Sequence, residues 1–538
     1  MTVISLRDIG RYGVVRDLAE HSIPPEAWST ARNVAFIDGY ITRSLGEIQV
    51  EGEPTVNPYY VFPAPTVDAA YWCYTDTNKV YAVAGGVHSN ITRQTAAVDV
   101  DYNGGVYDKW NGGWLNGVLV LNNSGVDAPQ QWMPMSVATK LTALANFTTT
   151  GVTTLRAKVI RPFRNFLIAL YIVKDGNAFP TMVKWSHPAD PGNVPSSWDA
   201  ADTTKISGES TPGTTPGFLV DCKPLGIANM LYKEDAVIRM ERIQTNDIFG
   251  FTEISDRTGL AGQDCAQTLK PGQQVFLTTD ADAVVTDGRS IESITDKKVR
   301  RHLETSIDQN QIAKAFIVVD YAKRQVMICY PRVGSLQCNE MAVWDMRDAT
   351  WVFRDLTQTL DIKTGFYDQT QSLRRWSDMT ATPWSAMNEP WDVRAFAVGA
   401  YKLIGGFNVA DQLREVNRGY QLGGQGYLSY VERYGLGLGQ DREGRPRADF
   451  TRIKLVRKIR PLIQAPQPVN MQIQVGAQEY PHGPVTWQGP HVFNSASDRF
   501  MDFNIAGRLN AIRFLTSDEV DWRLYGYDID IEPMGEHM

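Results

Sequence analysis

Cysteine, histidine, long apolar runs and helix signals are all scarce in this chain of 538 residues. The five cysteines (Cys73, Cys222, Cys265, Cys329, Cys338) are odd in number and share no short spacing, so neither a disulfide framework nor a zinc site is expected. The seven histidines include no pair at helical ligand spacing. A lone one such as His187, in WSHPAD, reads as a hydrogen-bonded turn residue. The phosphate loop ending in Gly-Lys-Ser/Thr, the His-Glu-x-x-His pair and the Gly-x-Ser-x-Gly elbow are all missing. Those absences exclude the commonest nucleotide, zinc-hydrolase and serine-hydrolase signatures, and no cofactor or metal is expected. The longest apolar run, Phe166 to Val173, is too short to span a bilayer, so no membrane insertion is expected. The opening residues lack a basic stretch followed by an apolar one, and assembly in a reducing cytoplasm is the expectation. Neither sign of charge dominates: 53 basic and 60 acidic residues give −7, which supplies no sequence-wide drive towards nucleic acid.

What the chain does have is aromatic and turn-forming residues. Trp (14), Tyr (22), Gly (44) and Pro (28) accompany a 43% hydrophobic content, which favours many strands joined by short loops. At this length two or three domains are expected. The clearest stretch is Ala315 to Asp355, where AFIVVD, QVMICY, EMAVWD and TWVFRD alternate with turns and predict an antiparallel meander. Phe316 to Val319 is apolar without alternation, so both faces of that strand should be buried, as in a stacked propeller blade. Similar grammar recurs at 67–86, 114–122, 164–173, 225–243 and 273–294, without a strict repeat signature. Trp344 and Trp351 flank a tight turn and should stack across strands. The one helix expected is Asp296 to Ile307, with Val299, Leu303 and Ile307 inward and Asp296 as its cap.

These patterns predict an all-β chain: an extended N-terminal arm (1–50), a β-propeller (51–420), an exposed Gly- and Arg-rich linker (421–450) and a C-terminal β-sandwich-like domain (451–538). A pair of β-sandwiches is the other packing that the strands allow. In the last domain, MQIQVG places Met471, Ile473 and Val475 on one face, the half-buried pattern of an antiparallel sheet.

Two basic clusters are candidate contacts for DNA or an acidic partner. Lys297, Lys298, Arg300 and Arg301 lie on the expected helix; Arg452, Lys454, Arg457, Lys458 and Arg460 lie on the first C-terminal strand. A solvated face or ion pairing accounts for the same residues without a ligand. Paired acids on neighbouring blades would be needed for a glycosidase, and the Ser-x-Asp-x-Gly-x-x-Trp box of sialidase-type propellers is absent. No catalytic residue is assigned and the chain is not expected to be an enzyme.

Several segments carry a resemblance to a known family. GVVRDLAEHSIPPEAWSTARNVAFIDGYITRSLG (13–46) resembles the opening of phage tail proteins. RPFRNFLIAL (161–170), MVKWSHPADPGNVPSSWD (182–199), VFLTTDADAVVTDGRSIESITDKKVRRHL (275–303) and MAVWDMRDATWVFRDL (341–356) resemble the blades of the tail nozzle, or tail hub, family of short-tailed bacteriophages (tail tubular protein B-like, packaged-DNA stabilisation). RLNAIRFLTSDEVDWRLYGYDIDIEP resembles that family's closing strands. Stretches 357–392 and 421–450 match nothing in it. The resemblance implies a structural virion protein in the tail, assembled in the host cytoplasm as a homohexameric ring. That ring would sit below the head–tail adaptor, contact tail fibres or spikes, retain the packaged genome and conduct double-stranded DNA during ejection. A polysaccharide-degrading tail enzyme and a receptor-binding tail component are the alternatives.

Overall fold

The computed structural model describes residues 2–65, 70–133, 139–243, 248–366, 401–407, 411–439 and 447–536. Among them the regular secondary structure is almost entirely strand, with one α-helix of seven residues, Arg300–Ser306. The all-β expectation holds, and so does the propeller with an added sandwich.

Seven four-stranded blades make up the propeller among the described residues. Their first strands are Tyr60–Pro65, Trp110–Leu115, Leu155–Phe163, Leu219–Leu225, Ala266–Lys270, Phe316–Asp320 and Asp361–Phe366. Each first strand touches the next, and the seventh touches the first, so the ring is closed. In blade 6 every residue of Phe316–Asp320 and Gln325–Tyr330 is buried, because neighbouring blades cover both faces. That is the meander read from 315–355, and Trp344 lies directly opposite Trp351 with rings 6.4 Å apart and stacked.

The ring closes with a strand from the other end of the chain. Blade 7 takes Asp361–Phe366, Tyr401–Phe407 and Gln412–Val416 from the end of the propeller and Glu47–Gln49 from its beginning. A buried ion pair, Arg414 Nη1 to Glu47 Oε2 at 3.2 Å, fastens that strand.

The second body is a sandwich. Its six-stranded sheet joins Val34–Ile37, Tyr40–Arg43, Arg523–Glu536, Arg452–Gln464 and Met501–Gly507, with Thr2–Arg7 also paired to Arg523–Glu536. Facing it are Ser429–Leu436, Leu509–Thr516, Asn470–Gln478 and Thr486–Asn494. Phe514 and Tyr527 meet between the sheets at 5.2 Å, and Trp28 packs on Phe514 at 6.3 Å. Met471, Ile473 and Val475 point into this core as expected. The second sheet does not stop at the sandwich. Thr30–Arg32 pairs with Ser429–Leu436 on one side and, through Arg32 and Phe353, with blade 6 on the other, giving one nine-stranded sheet across both bodies.

Three boundaries therefore differ from the sequence reading. Residues 1–50 are not an extended arm: they supply five strands, to the sandwich, the bridging sheet and blade 7. Apart from the local hairpin of Val34–Ile37 with Tyr40–Arg43, their partners lie hundreds of residues away, so local composition gives little sign of them. The 421–450 stretch is not simply a linker, since Ser429–Leu436 is an interior strand; residues 440–446 lie outside the described set. A bulge at Arg433/Leu436 hides its alternation. Gly435 sits there at φ +65, where a Cβ would meet Glu20 at 2.9 Å, so only glycine lets the N-terminal segment cross. The helix begins at Arg300 rather than Asp296, and no side chain caps it. Val299, Leu303 and Ile307 are buried as expected. Of 357–392, the residues from 367 onward lie outside the described set.

Candidate functional site

The first strands of the blades converge on the propeller axis, where an open channel would be expected to hold water. Here they deliver charge. Arg161 of blade 3 grips Asp221 of blade 4 with two bonds, Nε to Oδ1 at 2.8 Å and Nη2 to Oδ2 at 2.9 Å, and reaches Asp264 Oδ1 at 2.9 Å. Asp264, just ahead of blade 5, also accepts Lys223 Nζ at 3.0 Å and Lys363 Nζ at 3.0 Å. Lys363 of blade 7 bonds Asp361 Oδ1 at 2.7 Å, and Asp361 Oδ2 accepts the Val61 N–H of blade 1 at 3.1 Å. The Asp264 carbonyl accepts from Ile317 of blade 6 at 2.9 Å. Lys109, at the entry to blade 2, donates to the carbonyls of Gln263 and Ala315 at 3.0 and 2.9 Å. One connected network thus ties all seven blades at their centre.

Its electrostatics follow from burial against pairing. Burial alone would raise the Asp264 carboxyl, but Arg161, Lys363 and Lys223 override it and hold it well below the ordinary range. Burial raises Asp361, and Lys363 offsets only part of that. Burial opposes the charge of Arg161 and Lys363, yet the facing aspartates raise both. Asp264 adopts φ +63, a conformation Asp tolerates better than most residues, and this turns its N–H onto Asp221 Oδ2 at 2.8 Å. With its carboxylates and cations engaged with one another, the network presents a lock rather than an acid–base pair poised for chemistry.

None of these residues stood out in the sequence. Arg161, Asp221, Asp264 and Lys363 are scattered along the chain, and only their shared place in or just before the first strands of blades 3, 4, 5 and 7 links them. A charged residue in or just before the innermost strand of several repeats is the signal that would have found them.

The basic residues that did stand out fall into two separate places. Lys297 is exposed in a left-handed turn; Lys298 Nζ donates to the Ala349 carbonyl at 2.6 Å. Arg300 meets Glu304 at 3.2 Å and Asp282 at 3.6 Å, and the backbone N–H of exposed Arg301 donates to Asp17 Oδ1. On the six-stranded sheet Arg460 makes a two-pronged pair with Asp530 at 2.6 and 2.7 Å, Arg457 meets Glu532 at 3.0 Å and Lys458 meets Asp502 at 3.6 Å. Lys454 is buried, its Nζ on the carbonyls of Asp449 and Arg508, and Arg452 is exposed at the start of the strand. Acids of the same chain face much of both clusters.

His187 is a turn residue whose Nδ1 accepts the Ile206 N–H at 3.2 Å. Among the described residues no three His, Cys, Asp or Glu side chains are arranged to hold a metal ion, and no helix is long and apolar enough to cross a membrane.

No protein-family model matches the sequence, and no curated protein matches it. Among solved structures, the chain is similar to a fungal alcohol oxidase of the AA5 family in complex with copper, at 10% identity over 90% of this chain and 92% of that one, with a TM-score of 0.39. It is similar to the N-terminal domain of Nup159 at 9% identity, covering 73% and 99%, TM-score 0.37. AztD from Citrobacter koseri follows at 12% identity, covering 61% and 93%, TM-score 0.30. Likeness this distant carries no activity or ligand across; the fold stands on the blades themselves.

Proposed function

We propose that this chain is a structural virion protein, the tail nozzle or hub of a short-tailed bacteriophage, that assembles as a ring of six and acts through shape and rigidity rather than catalysis. The observation that carries the reading is the axis lock. A propeller whose centre is filled by interlocked ion pairs has exchanged the usual ligand-binding cavity for stiffness. The junction supports it further: Arg32 pairs with Phe353 and its guanidinium is held by Glu340 and Asp355 of blade 6, which fastens the propeller to the bridging strand of the sandwich sheet. The resemblance of segments 13–46, 161–170, 182–199, 275–303 and 341–356 to phage tail and nozzle proteins supplies the biological setting. In that setting the ring lies under the head–tail adaptor, contacts fibres or spikes, holds the genome and lets DNA pass. Six chains, each at −7, surround that passage with a net negative field that keeps DNA from adhering.

Electron microscopy of the purified protein and of virions tests this. A six-fold ring at the base of the tail is the expected result, and monomers inside intact virions would overturn it. Incubation with host capsule or wall polysaccharide should release no new reducing ends; their release would favour the enzyme alternative.

A further inference from the structure

Where the sandwich leans on blade 6, a cavity of about 330 Å³ opens between the hairpin Val34–Arg43, blade 6 and the turn at Asn417. Its wall carries Arg43, Lys323, Arg347, Arg354 and Arg523 against a single carboxylate, Asp521. Two of these cations are answered: Arg347 by Asp345 at 2.8 Å, and Arg523 by Asp521 at 3.8 Å.

The other three are not. Arg43, 2% exposed, points its terminal nitrogens at the carbonyls of Asp518, Tyr427 and Tyr420, lays its face on the Tyr427 ring at 4.1 Å, and leaves a buried Nε with no partner. Arg354, 4% exposed, donates to Asn417 Oδ1 at 2.6 Å and to the Leu45 carbonyl. Lys323 Nζ donates to the Asn417 carbonyl. Asp320 is reached only indirectly, through the Asn417 amide at 2.8 Å and the backbone N–H of Lys323 at 2.9 Å. Among the described residues no carboxylate stands within ion-pair distance of these three side chains. Burying cations without a counter-charge is costly, and here two buried guanidiniums and a half-buried ammonium share one cavity. Burial lowers Arg354, and burial, only partly offset by Asp320, brings the Lys323 ammonium down to about 8.

We propose that this cavity binds a small phosphate-bearing anion, with Arg43, Lys323 and Arg354 as its ligands. Guanidinium forks match phosphate oxygens, and an ammonium adds a point charge. At this volume there is room for a phosphate with a small attached group, and none for a duplex. The inference stands independently of the virion reading.

Calorimetry and thermal unfolding of the full chain test it with inorganic phosphate, a deoxynucleoside monophosphate and a short duplex, against chloride at matched ionic strength. Saturable binding of phosphate or the monophosphate, with a rise in Tm that chloride does not give, is expected. Tighter binding of the monophosphate would identify a nucleotide as the source, and equal binding would identify free phosphate. Lys323→Gln should weaken affinity about tenfold, with the phosphate-induced rise in Tm measured against the same variant in chloride. Lys323→Arg should keep binding, and Arg457→Ala, outside the cavity, should bind as the parent does. Wild-type affinity should fall as pH rises through about 8, where the ammonium discharges, and Lys323→Arg should lose that dependence. Absence of saturable binding, binding of duplex alone, or unaltered affinity in Lys323→Gln would overturn the proposal.

Discussion

The propeller and the sandwich fill their centres in different ways. Residues 47–416 hold 34 basic and 41 acidic residues and so carry all of the chain's net charge, whereas 1–46 and 417–538 balance at five of each sign and 14 of each sign. In the propeller, charge goes to the middle: Arg161, Asp221 and Asp264 are each at most 7% exposed. In the sandwich the space between the sheets is aromatic and aliphatic, and its charges either pair on the outer face, as Arg457 does with Glu532, or are buried one by one, as Arg433 and Lys454 are. Geometry accounts for the difference. Two facing sheets can close over apolar side chains, but seven first strands around an axis leave a tapering space that long charged side chains fill and cross-link.

The comparison can be broken most directly at the axis. Arg161→Leu leaves Asp221 without its partner and weakens the hold on Asp264, so the propeller should lose about 4–5 kcal/mol in denaturant unfolding. Phe514→Ala removes the ring that joins Trp28 and Tyr527, with an expected cost of about 3–4 kcal/mol borne by the sandwich. Hydrogen exchange locates each loss. Faster exchange confined to blades 2–5 for the first variant and to the sandwich for the second sustains the contrast; equal acceleration everywhere would show the shared nine-stranded sheet making them one cooperative unit.

The junction between them should respond to acid. His302 lies against Arg16 and Phe353, and burial, then Arg16, Arg32 and Arg332, lower it to about 3. The unfolded chain therefore takes up a proton that the folded chain refuses, and stability declines as pH falls from about 6.5 towards 3. The loss by pH 4.5 is on the order of 2–3 kcal/mol. Urea midpoints should fall across that window in the parent and much less in His302→Gln. Asp264 acts in a lower window: its depressed carboxyl contributes fully above about 3.8 and loses that contribution only as pH falls through its own lower value. The smallest effect belongs to the sandwich surface, where Arg457→Ala should cost less than about 1 kcal/mol and the cost should shrink in salt.

Much of the fold was legible because its signals are local. The turns and β-branched runs of 315–355 mark blade 6, and Met471, Ile473 and Val475 mark a half-buried strand, since strand periodicity and turn chemistry are written within a few residues. Strand Ser429–Leu436 escaped because Gly435 and its bulge interrupt that periodicity. The axis residues escaped because one Arg of the two in RPFRNF, or the Asp in GQDC, looks like any surface charge until the ring is closed. The basic runs at 297–301 and 452–460 were conspicuous in sequence, yet tertiary contacts set acids of the same chain against much of them.

Sequence by itself determined that this chain is all-β, turn-rich, poor in catalytic and metal signatures, and built of stacked meanders followed by a half-buried sheet. Only the tertiary structure decided that the described residues form seven blades, that Glu47–Gln49 closes the last of them, that the first 50 residues stitch both bodies together, and that charge fills one centre while aromatics fill the other. Those features depend on pairings between residues up to hundreds of positions apart, and the cost or benefit of burying a charge is fixed by what the fold places beside it.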